Sequence, residues 1–336
     1  MATATLTEQE IRPADLMEKQ KVVAMIDLGR MLSRYDEFVT VDCPACGSSS
    51  RTFKFEKNGI RYDECAECET FYVNPRPSSD VLDWFYRDSP NYAFWNDVIF
   101  PASEAVRREK IFVPRVDRVI EICKKYNNPM QSLLEVGAGF GTFCTEVQSR
   151  GVFGRVVAVE PTPALAETCR SRGLEVIEKP IEHIDLSEGE GFDLVANFEV
   201  IEHLFSPKGF VEQMARLLKP GGLMVLTCPN GKGFDVEVLG PVSNTVDHEH
   251  INYFNPASLA KLLADCGMTV LESFTPGKLD ADLVRNRILS GEYDVSGQPF
   301  LKKILIDEWD AQGQAFQDYL VASGLSSNMW LVAAKQ

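Results

Sequence analysis

The stretch Ser132-Leu133-Leu134-Glu135-Val136-Gly137-Ala138-Gly139-Phe140-Gly141-Thr142-Phe143 decides the fold. It begins as a short apolar run, ends in three alternate glycines, and leads into a helical pattern from about Thr142 to Arg150. A buried strand that passes through glycines into a helix is the first βα turn of a Rossmann-like unit, where a ligand meets bare backbone. Alternate glycines alone do not choose the ligand, so the neighbours decide. Arg155-Val156-Val157-Ala158-Val159-Glu160-Pro161 is a second apolar strand ending in an acid. It lies about 20 residues on, where a carboxylate can accept both hydroxyls of a ribose. Phe192-Asp193-Leu194-Val195-Ala196-Asn197-Phe198-Glu199-Val200-Ile201-Glu202-His203 gives a third strand and turn. Leu217-Leu218-Lys219-Pro220-Gly221-Gly222-Leu223-Met224-Val225-Leu226-Thr227 reads as a helix end, a turn and a buried strand.

As an ordered set these four motifs resemble the class I S-adenosylmethionine-dependent methyltransferases, closely over residues 105–275. The resemblance is greatest to the small-molecule branch that includes quinone O-methyltransferases. It implies an α/β fold: a Rossmann-like seven-stranded sheet with helices on both faces and a C-terminal antiparallel hairpin. By motif position, Glu135, Gly137, Gly139 and Gly141 would line the methionine part of the cofactor. Glu160, followed by Pro161, would hold the ribose, and Pro180-Ile181-Glu182 would flank the adenine. Asn197, Phe198 and Glu199 would form the floor of the site.

Nine cysteines include two Cys-x-x-Cys pairs, Cys43/Cys46 and Cys65/Cys68. Each turn aims two thiolates at one ion, and two turns complete a tetrahedral shell of four sulfurs. Four sulfurs leave no open position, so the expected Zn²⁺ is structural. Asn58-Gly59 between extended segments is a hairpin signal, and a module this small needs the metal to hold it. The remaining five cysteines read as small buried hydrophobes. With Phe71-Tyr72-Val73-Asn74-Pro75-Arg76-Pro77 after the second pair, the ribbon resembles the zinc-ribbon methyltransferases of sugar-modifying pathways. Tyr72, Tyr92 and Trp95 are then either lid residues over the site or packing.

Methyl transfer is an in-line displacement that depends on near-attack geometry, and a hydroxyl acceptor must also lose a proton. The chain has four histidines. His183 reads as surface. His203 begins a helix at the cofactor edge and is either a site residue or a histidine held by a carboxylate. Asp247-His248-Glu249-His250 follows the fifth strand of the sheet, in a region the resemblance places on the substrate side. His248 and His250 fall on one side of an extended segment, and one of them is the expected general base. The same residues also read as a polar loop before a helix over Pro256–Cys266, or as a divalent-metal set of Asp247, His248 and His250.

Residues 14–40 have helical spacing at Leu16, Val23, Ile26 and Leu32 and lead into the ribbon. Beyond the strand Met268–Phe274, Leu301, Leu305, Trp309, Phe316 and Leu320 form an amphipathic helical stripe. This insert, at about 279–325, is either extra core or a substrate wall. Asp280, Asp282, Arg285 and Asn286 on it suit sugar hydroxyls and phosphate. The last strand is expected over Asn328–Ala334. The expected division is a helical segment 1–40, a zinc ribbon 41–79 and a methyltransferase domain 80–336.

The chain of 336 residues carries Asp+Glu 49 against Lys+Arg 34, a net charge of -15. No segment is strongly basic, which argues against nucleic acid and against an anionic membrane surface. Met1–Glu10 has no apolar core and does not read as a signal peptide. The apolar runs fall far short of a bilayer span, so a cytoplasmic location is expected. The expected activity is methyl transfer from S-adenosylmethionine to a hydroxyl of a nucleotide-linked sugar or related metabolite, by a monomer or homodimer. The rivals are C- or N-transfer to a similar molecule, or a protein methyltransferase or scaffold that docks through its ribbon.

Overall fold

The structure, a computed structural model, describes residues 6–186 and 190–336. Part of the stretch Met1–Glu10 read above therefore lies outside the described residues. The strands are β1 (Phe38–Val39), β2 (Arg51–Lys57), β3 (Ile60–Cys65), β4 (Phe71–Val73), β5 (Arg76–Pro77), β6 (Ser132–Val136), β7 (Arg155–Val159), β8 (Glu175–Ile177), β9 (Phe192–Phe198), β10 (Leu218–Pro229), β11 (Asn252–Tyr253), β12 (Met268–Phe274) and β13 (Asn328–Lys335).

The chain packs as two units that do not follow its linear order. One is Glu104–Cys228 with Ala257–Ser273 and Trp330–Gln336; the other is Met1–Ser103 with Pro229–Pro256 and Phe274–Met329. This differs from the expected linear division: stretches of 80–336 pack with the ribbon rather than with the sheet.

In the first unit seven strands form one mixed sheet in the order β12-β13-β10-β9-β6-β7-β8. Strands β10, β9, β6, β7 and β8 run parallel. β6 and β9 are buried along their whole length, which is why they read as near-continuous apolar runs. Helices Thr142–Arg150, Pro163–Ser171 and Pro207–Leu217 follow β6, β7 and β9. From β6 the chain steps outward to β7 and β8, whereas from β9 it steps the other way to β10. Right-handed crossovers then place the first two helices on one face and the third on the other. The direction reverses between β6 and β9, so a crevice is expected beyond their C-terminal ends. Gly137–Gly141 and Glu199 sit there. At the opposite end of the sheet Asp193 accepts from the backbone N–H of Gln131 (2.9 Å) and Ser132 (2.8 Å) and from Lys219 Nζ (2.9 Å). The acid of the Phe192-Asp193 motif thus ties β6, β9 and β10 together.

In the second unit the ribbon sheet has the order β11-β4-β3-β2, with every pairing antiparallel. Asn58 and Gly59 turn the hairpin with φ of 52° and 79°, the left-handed pair of a type I′ turn. The fourth strand was not evident from sequence. Asn252 pairs with Tyr72 and Tyr253 with Phe71, and the Tyr253 ring stacks on Phe71 at 4.2 Å. Tyr62 Oη donates to the Asp247 carbonyl at 2.8 Å, and Lys57 Nζ donates to the Ser243 carbonyl at 2.8 Å.

The N-terminal helix spans Ala14–Leu32, but its buried residues are Asp27, Leu28 and Met31. Ile26, expected inside, is 53% exposed. The buried face is displaced because Asp27 is drawn in as an acceptor for Ser89, Asn91 and Arg30. The insert packs with Leu239, from the helix Phe234–Leu239, into a core of Leu239, Ala281, Val284, Leu305 and Leu320, with Leu301, Trp309 and Phe316 packed on it. Its expected single helix is broken: a wide turn over Lys303–Asp307 precedes a helix over Trp309–Ala322.

Candidate functional site

The glycine loop leaves β6 and crosses to β7: the N–H groups of Gly137 and Ala138 donate to the Val159 carbonyl at 2.9 and 3.1 Å. Gly139 and Gly141 both take left-handed φ, 55° and 70°, but for different reasons. A Cβ at Gly141 would stand 2.6 Å from Leu174 Cδ1 and 2.9 Å from Cys169 Sγ, whereas nothing lies within 4 Å of one at Gly139. Gly141 therefore serves helix packing, and Gly139 faces open space where a ligand can lie against the chain. Its N–H donates to Glu160 Oε2 at 2.8 Å, and the Thr162 N–H donates to Glu160 Oε1 at 2.9 Å. Burial raises the Glu160 pKa against the effect of these two bonds. Pro161 and Glu182 are exposed and Ile181 is buried.

Glu135 is 3% exposed, and burial pushes its pKa up to about 8. Cys144 Sγ donates to its Oε2 at 3.0 Å. Asn197 at the end of β9 donates Nδ2 to the Val136 carbonyl at 2.8 Å, while its Oδ1 is buried without a partner. Phe198 packs on Phe143 with ring centroids 4.7 Å apart. Glu199 holds a left-handed φ of 57° despite its side chain, a strain tolerated where surroundings over-determine it and common at functional sites. Thr227 supplies that constraint: its Oγ1 donates to Glu199 Oε1 at 2.5 Å, and its carbonyl accepts the Glu199 N–H at 3.0 Å.

Arg115, on the helix Val113–Lys125, was not anticipated. Its guanidinium lies 4.4 Å from the Phe198 ring centroid. Burial lowers its pKa, and the charges of Glu199 and Glu135 oppose that. Among the described residues it makes no hydrogen bond. The available signal was a cation one turn before Val119 on an otherwise apolar stripe that includes Val119 and Cys123. His203 sits in a short 3-10 turn, Ile201–His203, with Nε2 3.9 Å from Glu202 Oε1.

In the unit that holds the ribbon, His250 and His248 are in different surroundings. His250 Nδ1 is 2.8 Å from the Thr245 carbonyl and 3.3 Å from Asp247 Oδ2. Asp247 also accepts the backbone N–H groups of Glu249 (2.8 Å) and His250 (2.9 Å). His248 is 9% exposed, and burial lowers its pKa. Burial and then the charge of Asp247 raise the Glu249 pKa to about 7.

The substrate residues expected from sequence fare unevenly. Tyr72 is fully buried inside the ribbon, below Arg76 at 5.7 Å, which corrects its reading as a lid. At 0% exposure on β4 its ring is packing and not a surface over the site. Asp280 is likewise internal: it accepts from Ser326 Oγ at 2.6 Å, from Gln317 and from the Ser327 N–H, a latch and not a sugar contact. Tyr92 is half-buried, edge-on to Tyr86 at 6.1 Å. Arg285 lies over Trp309 at 5.0 Å with its Nε buried and unpartnered, and Asn286 Nδ2 donates to Glu8 at 3.2 Å.

The sulfurs of Cys43, Cys46, Cys65 and Cys68 all lie within 4.8 Å of one another. Cys43 and Cys68 are 3.5 Å apart, and Cys46 and Cys65 3.6 Å. A disulfide would be about 2.05 Å, while a tetrahedron with Zn–S near 2.3 Å has edges of about 3.8 Å. The two turns match: Gly47 N–H donates to the Cys43 carbonyl (2.9 Å) and Glu69 N–H to that of Cys65 (3.0 Å). Gly47 and Glu69 are both left-handed, φ 73° and 57°.

Residues 107–273 match the methyltransferase domain family. The chain is 28% identical over 193 residues to a ubiquinone biosynthesis O-methyltransferase of Bradyrhizobium sp. (strain ORS 278), covering 52% of this chain and 75% of that one. It is 34% identical over 113 residues to the ubiquinone biosynthesis O-methyltransferase of Cereibacter sphaeroides (strain ATCC 17025 / ATH 2.4.3), covering 32% and 46%. Among solved structures, the S-adenosylmethionine-bound amino pentose methyltransferase CalS10 of Micromonospora echinaspora matches at 27% identity. That match covers 37% of this chain and 53% of that one, with a TM-score of 0.33. With the motifs seated around the switch point of a parallel sheet, the family match over residues 107–273 and the curated relatives make the chain a methyltransferase. It is a class I S-adenosylmethionine-dependent enzyme.

Proposed function

We propose that this enzyme methylates a hydroxyl of a small molecule, with His250 as general base and a structural zinc in the four-cysteine ribbon. The hydrogen bond from His250 Nδ1 to the Thr245 carbonyl, 2.8 Å, carries the reading. A neutral imidazole that donates from Nδ1 has its proton-accepting lone pair on Nε2, and the Asp247 carboxylate beside Nδ1 stabilises the ring once it is protonated. Among the described residues His248 has no such orienting bond. The curated relatives are named as O-methyltransferases, and the ribbon motif favours a nucleotide-linked sugar or related metabolite as acceptor.

The residues present fit the cofactor. Gly139 offers open backbone, and Glu160 offers carboxylate oxygens for a ribose. Arg115 offers a guanidinium for a carboxylate, and buried Asn197 Oδ1 awaits a donor. When bound, S-adenosylmethionine supplies an electrophilic methyl group. The chain's part is to hold the acceptor in line and to take its proton at His250 Nε2. The four thiolates fit a tetrahedral Zn²⁺ with no open position, so the metal would fold the ribbon and take no part in the chemistry.

The test uses labelled S-adenosylmethionine with a panel of nucleotide-sugars and quinols. His250→Ala is expected to lower turnover by about 10²–10⁴-fold with cofactor affinity unchanged. Normal turnover would remove the base assignment, and transfer only to amines or to protein would remove the hydroxyl.

A further inference from the structure

His248 is nine-tenths buried, its Nε2 is shut off from solvent, and that atom has no hydrogen-bond partner among the described residues. Buried polar atoms are almost always satisfied, so such an atom calls for an explanation. It stands beside two carboxylates from distant parts of the chain. One ligand atom each from Asp27, His248 and Glu249 lies within 4.8 Å of the others. Ligands about 2.1 Å from a shared ion stand roughly 3.0–4.2 Å apart, so small rotations of these side chains would close the set.

The supporting contacts resemble those around metal ligands. Asn91 Nδ2 donates to Glu249 Oε1, and Gln20 Nε2 fixes Asn91 by donating to its Oδ1 at 2.8 Å. Asp27 is fully buried; its Oδ2 accepts from Ser89 Oγ and from the Asn91 N–H at 3.3 Å, and its Oδ1 from Arg30 at 2.8 Å. Phe85 meets the His248 ring edge-on at 5.8 Å. A buried carboxylate, a second carboxylate and an imidazole nitrogen without a hydrogen-bond partner among the described residues converge here. A divalent cation would satisfy the nitrogen and balance the charge together.

We propose that Asp27, His248 and Glu249 form a second metal site, for a borderline divalent ion such as Mn²⁺ or Zn²⁺, in addition to the four-cysteine cluster. Two oxygens and one imidazole nitrogen suit such an ion, whereas the all-sulfur ribbon selects zinc. Mn²⁺ therefore reports on the new site without displacing the ribbon metal. The assignment also takes His248 out of proton transfer and makes it a ligand.

The experiment is a titration with Mn²⁺ of full-length protein carrying one zinc per chain, the amount the cysteine cluster holds, read by loss of the free-ion electron paramagnetic resonance signal. One Mn²⁺ per chain is expected, with affinity falling at least about tenfold in His248→Ala and about 10–100-fold in Asn91→Ala, which removes no ligand but takes away the supporting bond to Glu249 and the Gln20 bond behind it. Zinc, measured by mass spectrometry, should stay at one per chain throughout the titration, which separates the Mn²⁺ site from the cysteine cluster. Circular dichroism and retained binding of S-adenosylmethionine show that each variant is folded. The proposal is overturned by absence of a saturable Mn²⁺ site in the folded protein, which would leave a water on His248. It is equally overturned by a site whose affinity both substitutions leave unchanged.

Discussion

Gly139 and Gly141 look equivalent in sequence, yet they should respond oppositely to the same change. Gly141→Ala drives a Cβ into Leu174 and Cys169 at 2.6 and 2.9 Å, on a left-handed backbone. A loss of about 2–4 kcal/mol in a denaturant titration is expected. Gly139→Ala meets no neighbour and costs only the left-handed φ, about 1–2 kcal/mol. The new methyl fills the space a ligand would use, so calorimetry should show S-adenosylmethionine binding at least about tenfold weaker. Equal effects at both positions would mean that Gly139 does not face the cofactor. Glu135 gives a pH prediction. Its folded pKa is about 8 against an ordinary 4.5, so the native state keeps a proton that the unfolded chain releases. By linkage the cofactor-free protein is most stable below about pH 4.5 with respect to this group, and loses that stability as pH rises through 8. Glu135→Gln should flatten the slope of unfolding free energy over that window; an unchanged slope would contradict the burial argument.

At the scale of elements, the ribbon is the informative case. Its cysteine turns and its Asn58-Gly59 hairpin are local, and both were legible because spacing and turn chemistry depend on near neighbours. Strand β11 was not, because its partner β4 is far away in sequence and a two-residue strand has no period to read. The same blindness left Tyr72 open between lid and packing: an aromatic on a short strand does not say whether its face will be covered, and the structure buries it. Two outcomes follow. Cys43→Ser, or a strong chelator, should release about one zinc per chain, measured by mass spectrometry, and melt the ribbon. Tyr253→Ala, which deletes the ring stacked on Phe71 at 4.2 Å, should cost about 3–5 kcal/mol and speed the loss of zinc although no ligand is touched. Zinc retention like that of the unaltered protein would show that β11 merely lies against the ribbon.

At the scale of the molecule, sequence order and packing order part company. Pro229–Pro256 and Phe274–Met329 fold with the first hundred residues, so the ribbon is not a detachable module. A chain starting at residue 104 would keep the motif-bearing strands but leave Tyr253 and Phe254 without the sheet that buries them. It is expected to aggregate or lose a cooperative transition in calorimetry, whereas a linear two-domain protein would tolerate the cut. The helix Ala14–Leu32 makes the same point: a polar residue, Asp27, occupies its buried face because distant Ser89 and Asn91 meet it there.

The sequence by itself determined the parallel sheet, the glycine loop at its switch point, the class of cofactor and the cysteine cluster. Each is written in contiguous motifs whose geometry comes from backbone sterics and side-chain chemistry within a few residues. Tertiary structure alone decided that Arg115 and Phe198 meet, that Asp280 is an internal latch, and that β11 closes the ribbon. It also parted the two histidines, leaving His250 oriented by Thr245 and Asp247 and burying His248 beside Asp27 and Glu249. Those pairings depend on loops closed over tens to hundreds of residues, and no local period or propensity records which ends will meet.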